Sequence, residues 1–395
     1  MTNRRHLLSR SAALFGAASS GLLLPRLSFA QGGAPIKVGL MLPYTGTYAQ
    51  LGIAIENGFR MALAEKGDKL GGRSIEFFKV DDESNPAKAV ENANKLVQRD
   101  GVDVLVGTVH SGVQMGIQKV ARDSGVLSII PNAGVLAATR ALCAPNVFRT
   151  SFTNSQPTFA LGKVMAEKGI KKTAWITWKY AAGDEAFEGF KEGYTKGGGT
   201  IVKELGLPFP NVEFQALLTE IAAANPDAVA CFFAGGAAVK FMKDYAAAGL
   251  KGKIPLYGSG FLTEGTIAAA GDAANGVITA MHYADTLDTP RNRKFRADYS
   301  KAFGSEADVY SVQGYDAGQL LILGAEAVKG DVSAKAAMFK AMEGATIDSP
   351  RGQWTMSKSH NPVQDIYLRE VKNGDNQVIG MAAKQLADSG AGCKM

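Results

Sequence analysis

Beyond residue 31 no window approaches 18 consecutive apolar residues, too few for a membrane-spanning helix of about 20. Cysteine is scarce: Cys143, Cys231 and Cys393 are the whole set, and no spacing among them suits an iron–sulfur cluster or zinc. Missing as well are a GxxxxGK[ST] phosphate loop, an HExxH helix, an EF-hand loop and a GxSxG nucleophile elbow. No GxGxxG follows the first strand candidate, so the Asp81-Asp82 pair lacks the fingerprint of a dinucleotide site and reads, with Glu83, as a solvated strand end. These absences leave no expected cofactor, no metal and no enzymatic centre. Charge of one sign is lacking too. Four of the 43 basic side chains fall in the first thirty residues, which hold no acid, so the remainder nearly balances 37 acidic ones. Neither nucleic acid nor an anionic membrane is expected as a partner.

What is present fits a globular chain of two or three domains: 395 residues, 46 % hydrophobic and 20 % charged. The 46 glycines exceed the usual share of roughly 7 %, which points to many tight loops.

The N-terminus has its own pattern. RRHLLSR (4–10) precedes the soft apolar run SAALFGAASSGLLL (11–24), and Ser28 and Ala30 supply small residues at the -3 and -1 positions of a cleavage site. A basic n-region, short h-region and small-x-small ending make residues 1–30 a secretory signal peptide, and Arg4-Arg5 loosely resembles a twin-arginine signal. The expected location is the periplasm, as a soluble mature protein. In an oxidising compartment Cys143 and Cys393 can pair and pin the tail, or remain thiols. Cys231, inside AVACFFA, reads as a buried hydrophobe.

Strand candidates 36–43, 73–83, 102–107 and 126–131 alternate with helical stretches to Lys66 and over 86–100 and 112–125. In the 86–100 helix Val90, Leu96 and Val97 are expected to face a core. The alternation predicts a parallel sheet covered on both faces. It restarts with strand candidates 147–152, 173–178, 200–205, 227–233, 254–258 and 276–281. Two helices (290–303 and 309–329) and terminal strands 364–371 and 376–382 follow. The helix-rich segment 282–350 would lack a layer of its own. The expectation is therefore two α/β, Rossmann-like lobes completed by non-contiguous chain, rather than three domains in series.

Ligands in such sheets collect beyond the C-terminal strand ends, near helix N-termini. Gly107-Thr108-Val109-His110-Ser111-Gly112 leads straight into a helix, which places Ser111 at or near its N-cap, able to receive a carboxylate or simply to cap. Asn132, Ala133 and Gly134 follow another strand. Tyr48 and Tyr180 are loop aromatics able to stack on a flat ligand or to pack as wall. His110 beside Ser111 has no third partner, and adjacent residues seldom point at one another. The Arg291, Arg293, Lys294, Arg296 cluster reads as a solvated helix face.

IKVGLMLPYTGTYAQLG, VDVLVGTVHSG, VLSIIPNAG, NVFRTSFTNSQ, GDEAFEGFKEGYTKGGGTIV and LKGKIPLYGSG together resemble the periplasmic substrate-binding proteins of ABC transporters, in the branch typified by the leucine/isoleucine/valine-binding protein. The resemblance covers nearly the whole mature chain. It implies the type I fold, with parallel-rich central sheets and three interlobe crossovers near 149–152, 279–283 and 350–357. The lobes would comprise residues 35–150 with 282–351, and 151–281 with 352–395. Hinge closure over a ligand, docking on the transmembrane subunits of a permease, and a monomeric state are implied; no reaction is.

By the same resemblance Ser111, with the Gly112 and Val113 N–H groups, matches the ligand-carboxylate site, and Ala133 lies near a backbone carbonyl that accepts from the ligand ammonium. Two positions depart from amino-acid binders: Gly260 stands where they present a glutamate, with Phe261 next, and Ala234-Gly235-Gly236 replaces an aromatic-glycine pair. Leu51 stands at the family's stacking tyrosine, with Tyr48 three residues earlier. A buried ammonium without its carboxylate costs several kcal/mol as an order of magnitude. An aromatic acid, such as benzoate or a hydroxybenzoate, is therefore the expected ligand, walled by Phe261, Tyr48 and Tyr180 with Asn132 free to meet a ring hydroxyl. A similarity to benzoate- and hydroxycinnamate-binding members agrees. The alternatives are a branched-chain or other apolar amino acid or amide, or a sensor role toward a membrane signalling receptor.

Overall fold

In the first sheet, strands β1 (Ile36–Leu42), β2 (Lys69–Leu70), β3 (Arg73–Asp81), β4 (Val104–Gly107), β5 (Leu127–Ile130) and β6 (Val147–Arg149) lie in the order β2-β3-β1-β4-β5-β6. All pairings are parallel except the β2/β3 hairpin. The computed structural model describes residues 33–395; the expected signal peptide over 1–30 lies outside the described residues. Strands β4, β5 and β6 are buried throughout, and β1 nearly so, as strands with helices on both faces are, and the polar Ser128 of β5 and Arg149 of β6 are buried with them.

Helices α1 (Ala49–Ala64), α2 (Ala89–Asn94) and α3 (Ser111–Ser124) accompany these strands. The helix expected over 86–100 is divided. A 3-10 turn at Pro86–Lys88, capped by Asn85, leads into α2, and a π turn follows at Lys95–Arg99. Its buried stripe is Ala89, Ala93 and Leu96, because α3 approaches closely at Gly116; Val90 therefore turns outward and is exposed, and Val97 is only half-buried.

After β6 come α4 (Ser155–Glu167), β7 (Lys172–Lys179), α5 (Ala181–Lys196), β8 (Thr200–Pro208), α6 (Gln215–Ala224), β9 (Ala228–Phe232), α7 (Gly235–Ala247), β10 (Leu256–Ser259), the single turn α8 (Ile267–Ala270) and β11 (Ile278–Met281). Then α9 (Pro290–Phe303), α10 (Val309–Ala327) and α11 (Lys335–Glu343) precede β12 (Thr346–Ile347), β13 (Trp354–Met356), β14 (Pro362–Lys372) and β15 (Asp375–Leu386). The second sheet runs β12-β13-β14-β11-β10-β9-β7-β8, with β15 paired to β14. Strands β7 to β11 are parallel, and the terminal strands add antiparallel.

The helices after β11 return to the first lobe. α10 lies against α1 so closely that a Cβ on Gly58 or Gly314 would overlap the facing backbone carbonyls of Ser311 and Ile55. The chain then leaves again for β12. On α9, Arg293 and Lys294 are solvated, paired with Asp288 and Asp298, as the sequence suggested, whereas Arg291 and Arg296 are largely covered: Arg291 donates to the Tyr315 hydroxyl at 2.6 Å and Arg296 lies between Asp285 and Glu306.

Two crossings are stapled by one buried cation. Arg351 donates to the carbonyls of Thr150 (2.7 Å) and Ser151 (3.2 Å) and lies 2.8 Å from Asp316. Asp316 also accepts from Ser349 Oγ and Trp354 Nε1, each at 3.0 Å. The tail reaches back to the first lobe: Cys143 and Cys393 form a disulfide, and Arg140 holds Asp388 through two bonds of 3.0 and 2.7 Å. Cys231 is free and buried in β9.

Candidate functional site

The C-terminal strand ends of the two sheets face each other across a narrow cavity with room of about 20 Å³ for the centre of a water-sized sphere. Leu51, Val109, Phe152, Phe232 and Phe261 form its apolar wall. Its polar side chains are Tyr48, Ser111, Asn132, Asn154, Tyr180 and Tyr310, and backbone is presented at Gly134, Ala182 and Ala234. None of the lining residues carries a charge.

Of the residues expected from sequence, Tyr48, Ser111, Asn132, Gly134, Tyr180 and Phe261 line this cavity, whereas Gly112, Val113, Ala133 and Gly235 do not. The Gly112 and Val113 N–H groups are not available to a ligand, because the N-cap of α3 is His110 rather than Ser111. Its Nδ1 accepts from both, at 3.0 and 3.4 Å. Ala133 N–H is tied to Thr108 O at 2.9 Å. Gly235 opens α7 one residue beyond the lining Ala234, and a Cβ there would meet Thr47 O at 2.8 Å. The Asn132 side chain is anchored at its amide nitrogen: Nδ2 donates to Gln313 Oε1 at 2.7 Å, and Gln313 Nε2 meets His282 Nε2 at 3.2 Å. Asp82, expected in solvent, is fully buried beneath the site, accepting from Thr108 Oγ1 and Ser84 N–H. Burial pushes its pKa up to about 6.

Three features give this neutral cavity an appetite for anions. The first is Ser111. Asn154 Nδ2 donates both to Ser111 Oγ (3.2 Å) and to Glu185 Oε2 (2.8 Å), which leaves the serine proton to be given to a ligand. The second is a pair of helix N-termini. Neither α5 nor α7 carries a side-chain cap; Ala182 in the first turn of α5 and Ala234 at the N-cap of α7 line the cavity, at helix ends whose first N–H groups have no intrahelical acceptor. The third is phenolic. Burial raises the pKa values of Tyr48, Tyr180 and Tyr310, so all three stay protonated donors.

The lobes are shut over this space. Tyr48 and Tyr180 hydroxyls meet at 2.9 Å, the His110 ring stacks on Tyr180 with centroids 4.8 Å apart, and both Glu185 oxygens accept from Leu136 N–H at 3.1 and 3.0 Å. Leu51, Phe152, Asn154, Phe232 and Tyr310 complete a lining that the loop-by-loop reading did not assemble. Asn154 and Phe152 sit in FTNS just past the first crossing, a signal available in the sequence; Tyr310 arrives from the distant start of α10.

Where amino-acid binders present an acid, Gly260 has no room for one. A Cβ there would overlap Met281 Cβ and Arg369 Nη2, and Arg369 is itself buried in an ion pair with Glu264. The sequence profile described as "Periplasmic binding protein" matches residues 35–376.

The chain belongs to the periplasmic binding protein family.

It is 32 % identical over 348 residues to a "Leu/Ile/Val-binding protein homolog 6" of Brucella melitensis, covering 86 % of this chain and 88 % of the relative. Among solved structures it resembles an ABC-transporter solute-binding protein from R. palustris in complex with benzoate. That match has 52 % identity and a TM-score of 0.90, and covers 92 % of this chain and all of that one. A solute-binding protein from Rhodopseudomonas palustris BisB5 in complex with 3,4-dihydroxybenzoic acid is 33 % identical, with a TM-score of 0.86 over 90 % of this chain and 99 % of its own. This periplasmic binding protein is thus a solute receptor of the ABC-importer class, in the type I, leucine/isoleucine/valine-binding-like branch, and a transport component rather than an enzyme.

Its closed form should weaken in acid through His110. Burial lowers the pKa of this imidazole to about 4, and its Nδ1 can cap α3 only when unprotonated. Because the closed state binds the proton less well than the open or unfolded state, the stabilisation is complete above about pH 6.5 and fades as pH falls toward 4. Asp82, whose raised pKa works the other way, makes the comparison with a variant necessary. Ligand titrations of wild type and His110→Asn between pH 7.5 and 4.5 should show a steeper acid loss in the wild type; parallel profiles would remove His110 from the account.

Proposed function

We propose that this receptor captures an aromatic carboxylate of the benzoate or hydroxybenzoate class between its lobes and delivers it to the transmembrane subunits of an ABC permease. The observation that carries the reading is the lining itself: aromatic walls and hydroxyl donors, with no carboxylate to receive an ammonium. The acid group sits at Ser111 and the uncapped first turn of α5, where a donated proton and unpaired N–H groups converge. The ring lies among Phe152, Phe232 and Phe261. The benzoate and dihydroxybenzoate complexes of the two solute-binding relatives support this ligand class. The lobes are residues 35–150 with 282–351, and 151–281 with 352–395, hinged at the three crossings, except that β12 (Thr346–Ile347) already joins the second sheet. Delivery to the periplasm is by the N-terminal signal peptide.

A ligand that binds only the folded state raises its melting temperature by an amount that grows with the logarithm of its excess over Kd. Benzoate and 4-hydroxybenzoate should each raise it and give measurable heats in calorimetry, while leucine, isoleucine and valine leave it unmoved. A shift with leucine and none with the aromatic acids would refute the assignment.

A further inference from the structure

One hydroxyl in the cavity wall is left unsatisfied by the protein. Tyr310, in the first turn of α10, is 1 % exposed and lines the cavity, and its phenolic oxygen has no hydrogen-bond partner among the described residues. Its ring lies nearly parallel to Phe261, at an interplanar angle of 26° with centroids 5.9 Å apart, which fixes its direction. Burying a hydroxyl without a partner is costly, so an orphan facing a binding cavity is a place kept for a ligand atom. The other phenols differ. Tyr48 and Tyr180 already satisfy one another at 2.9 Å.

We infer that Tyr310 is a specificity-determining residue that reads a polar substituent on the ligand ring, so that the preferred ligands are hydroxylated aromatic acids rather than unsubstituted ones. The inference rests on the aromatic-acid reading above. With the acid group held at Ser111 and the first turn of α5, a plain benzene ring offers Tyr310 only C–H, and the buried hydroxyl stays unpaired. A ring hydroxyl can accept the Tyr310 proton or donate to its oxygen. Sites built to bond a hydroxyl discriminate against the analogue lacking it far more sharply than an apolar pocket discriminates by size.

Calorimetry with benzoate, 3-hydroxybenzoate and 4-hydroxybenzoate on wild type and Tyr310→Phe tests this. In the wild type at least one hydroxy acid should bind ten-fold or more tighter than benzoate. In Tyr310→Phe the hydroxy acid should lose at least ten-fold more affinity than benzoate, and an unchanged melting temperature of the ligand-free variant reports that it is folded. Equal or tighter binding of benzoate by the wild type, or equal losses for all three acids in the variant, would overturn the role given to Tyr310. Failure of all three acids to bind the wild type would instead overturn the aromatic-acid reading, and the inference with it.

Discussion

Gly260→Glu should yield a protein that unfolds far more easily and still does not bind leucine. The substitution restores the acid that amino-acid binders present, but not the space around it. Its Cβ would collide with Met281 Cβ, fixed on β11, and with the Arg369 guanidinium. It would also bring a second carboxylate beside Arg369, whose charge Glu264 already balances in full burial. Overpacking together with an uncompensated buried charge puts the loss on the order of 4 kcal/mol. Urea unfolding and leucine calorimetry on the purified variant decide the matter. Wild-type stability together with leucine binding would show that Gly260 is what separates this receptor from its amino-acid relatives, and that the site was otherwise ready for a zwitterion.

The second large effect belongs to the hinge. Arg351→Met removes the cation that holds two crossings together and leaves Asp316 buried without its partner. Breaking such a pair from one side costs about 3–5 kcal/mol. Burial already pushes the Asp316 pKa up against the pull of Arg351, and without that pull it rises further. The folded variant then holds a proton that its unfolded chain releases, so its deficit should be largest near pH 8 and shrink toward pH 5. Adding Asp316→Leu should restore much of the loss. A deficit under about 1 kcal/mol at pH 8 would mean that the crossings are held by something else.

Much of this was legible in the chain itself. Strands β1, β4 and β5 declare themselves because both their faces are covered, which leaves short, mostly apolar runs interrupted only by Lys37 and Ser128. The glycine at 260 was equally plain, since an absent carboxylate is visible without coordinates. What stayed hidden depended on rotamers and distance. Nothing in VHSGV says that the His110 ring turns back onto the Gly112 and Val113 N–H groups and so withdraws them from a ligand. Val90 looked like core until α3 approached along the small-residue stripe of Ala89 and Ala93. Tyr310 stands nearly two hundred residues from Ser111, in a helix whose apolar residues mark no single face, so only the return of the chain to the first lobe reveals which of its faces meets the cavity. Asp82 looked solvated because charged strand ends usually are, and it is buried because Thr108 folds down onto it.

Cys143 and Cys393 stand 250 positions apart in the sequence. Any single backbone cut inside that span, from a protease or from handling, leaves both fragments on one molecule. Nicked protein, heavier by one water, will therefore run as a single covalent molecule on a denaturing gel and fall into two pieces only when the sample is treated with a thiol.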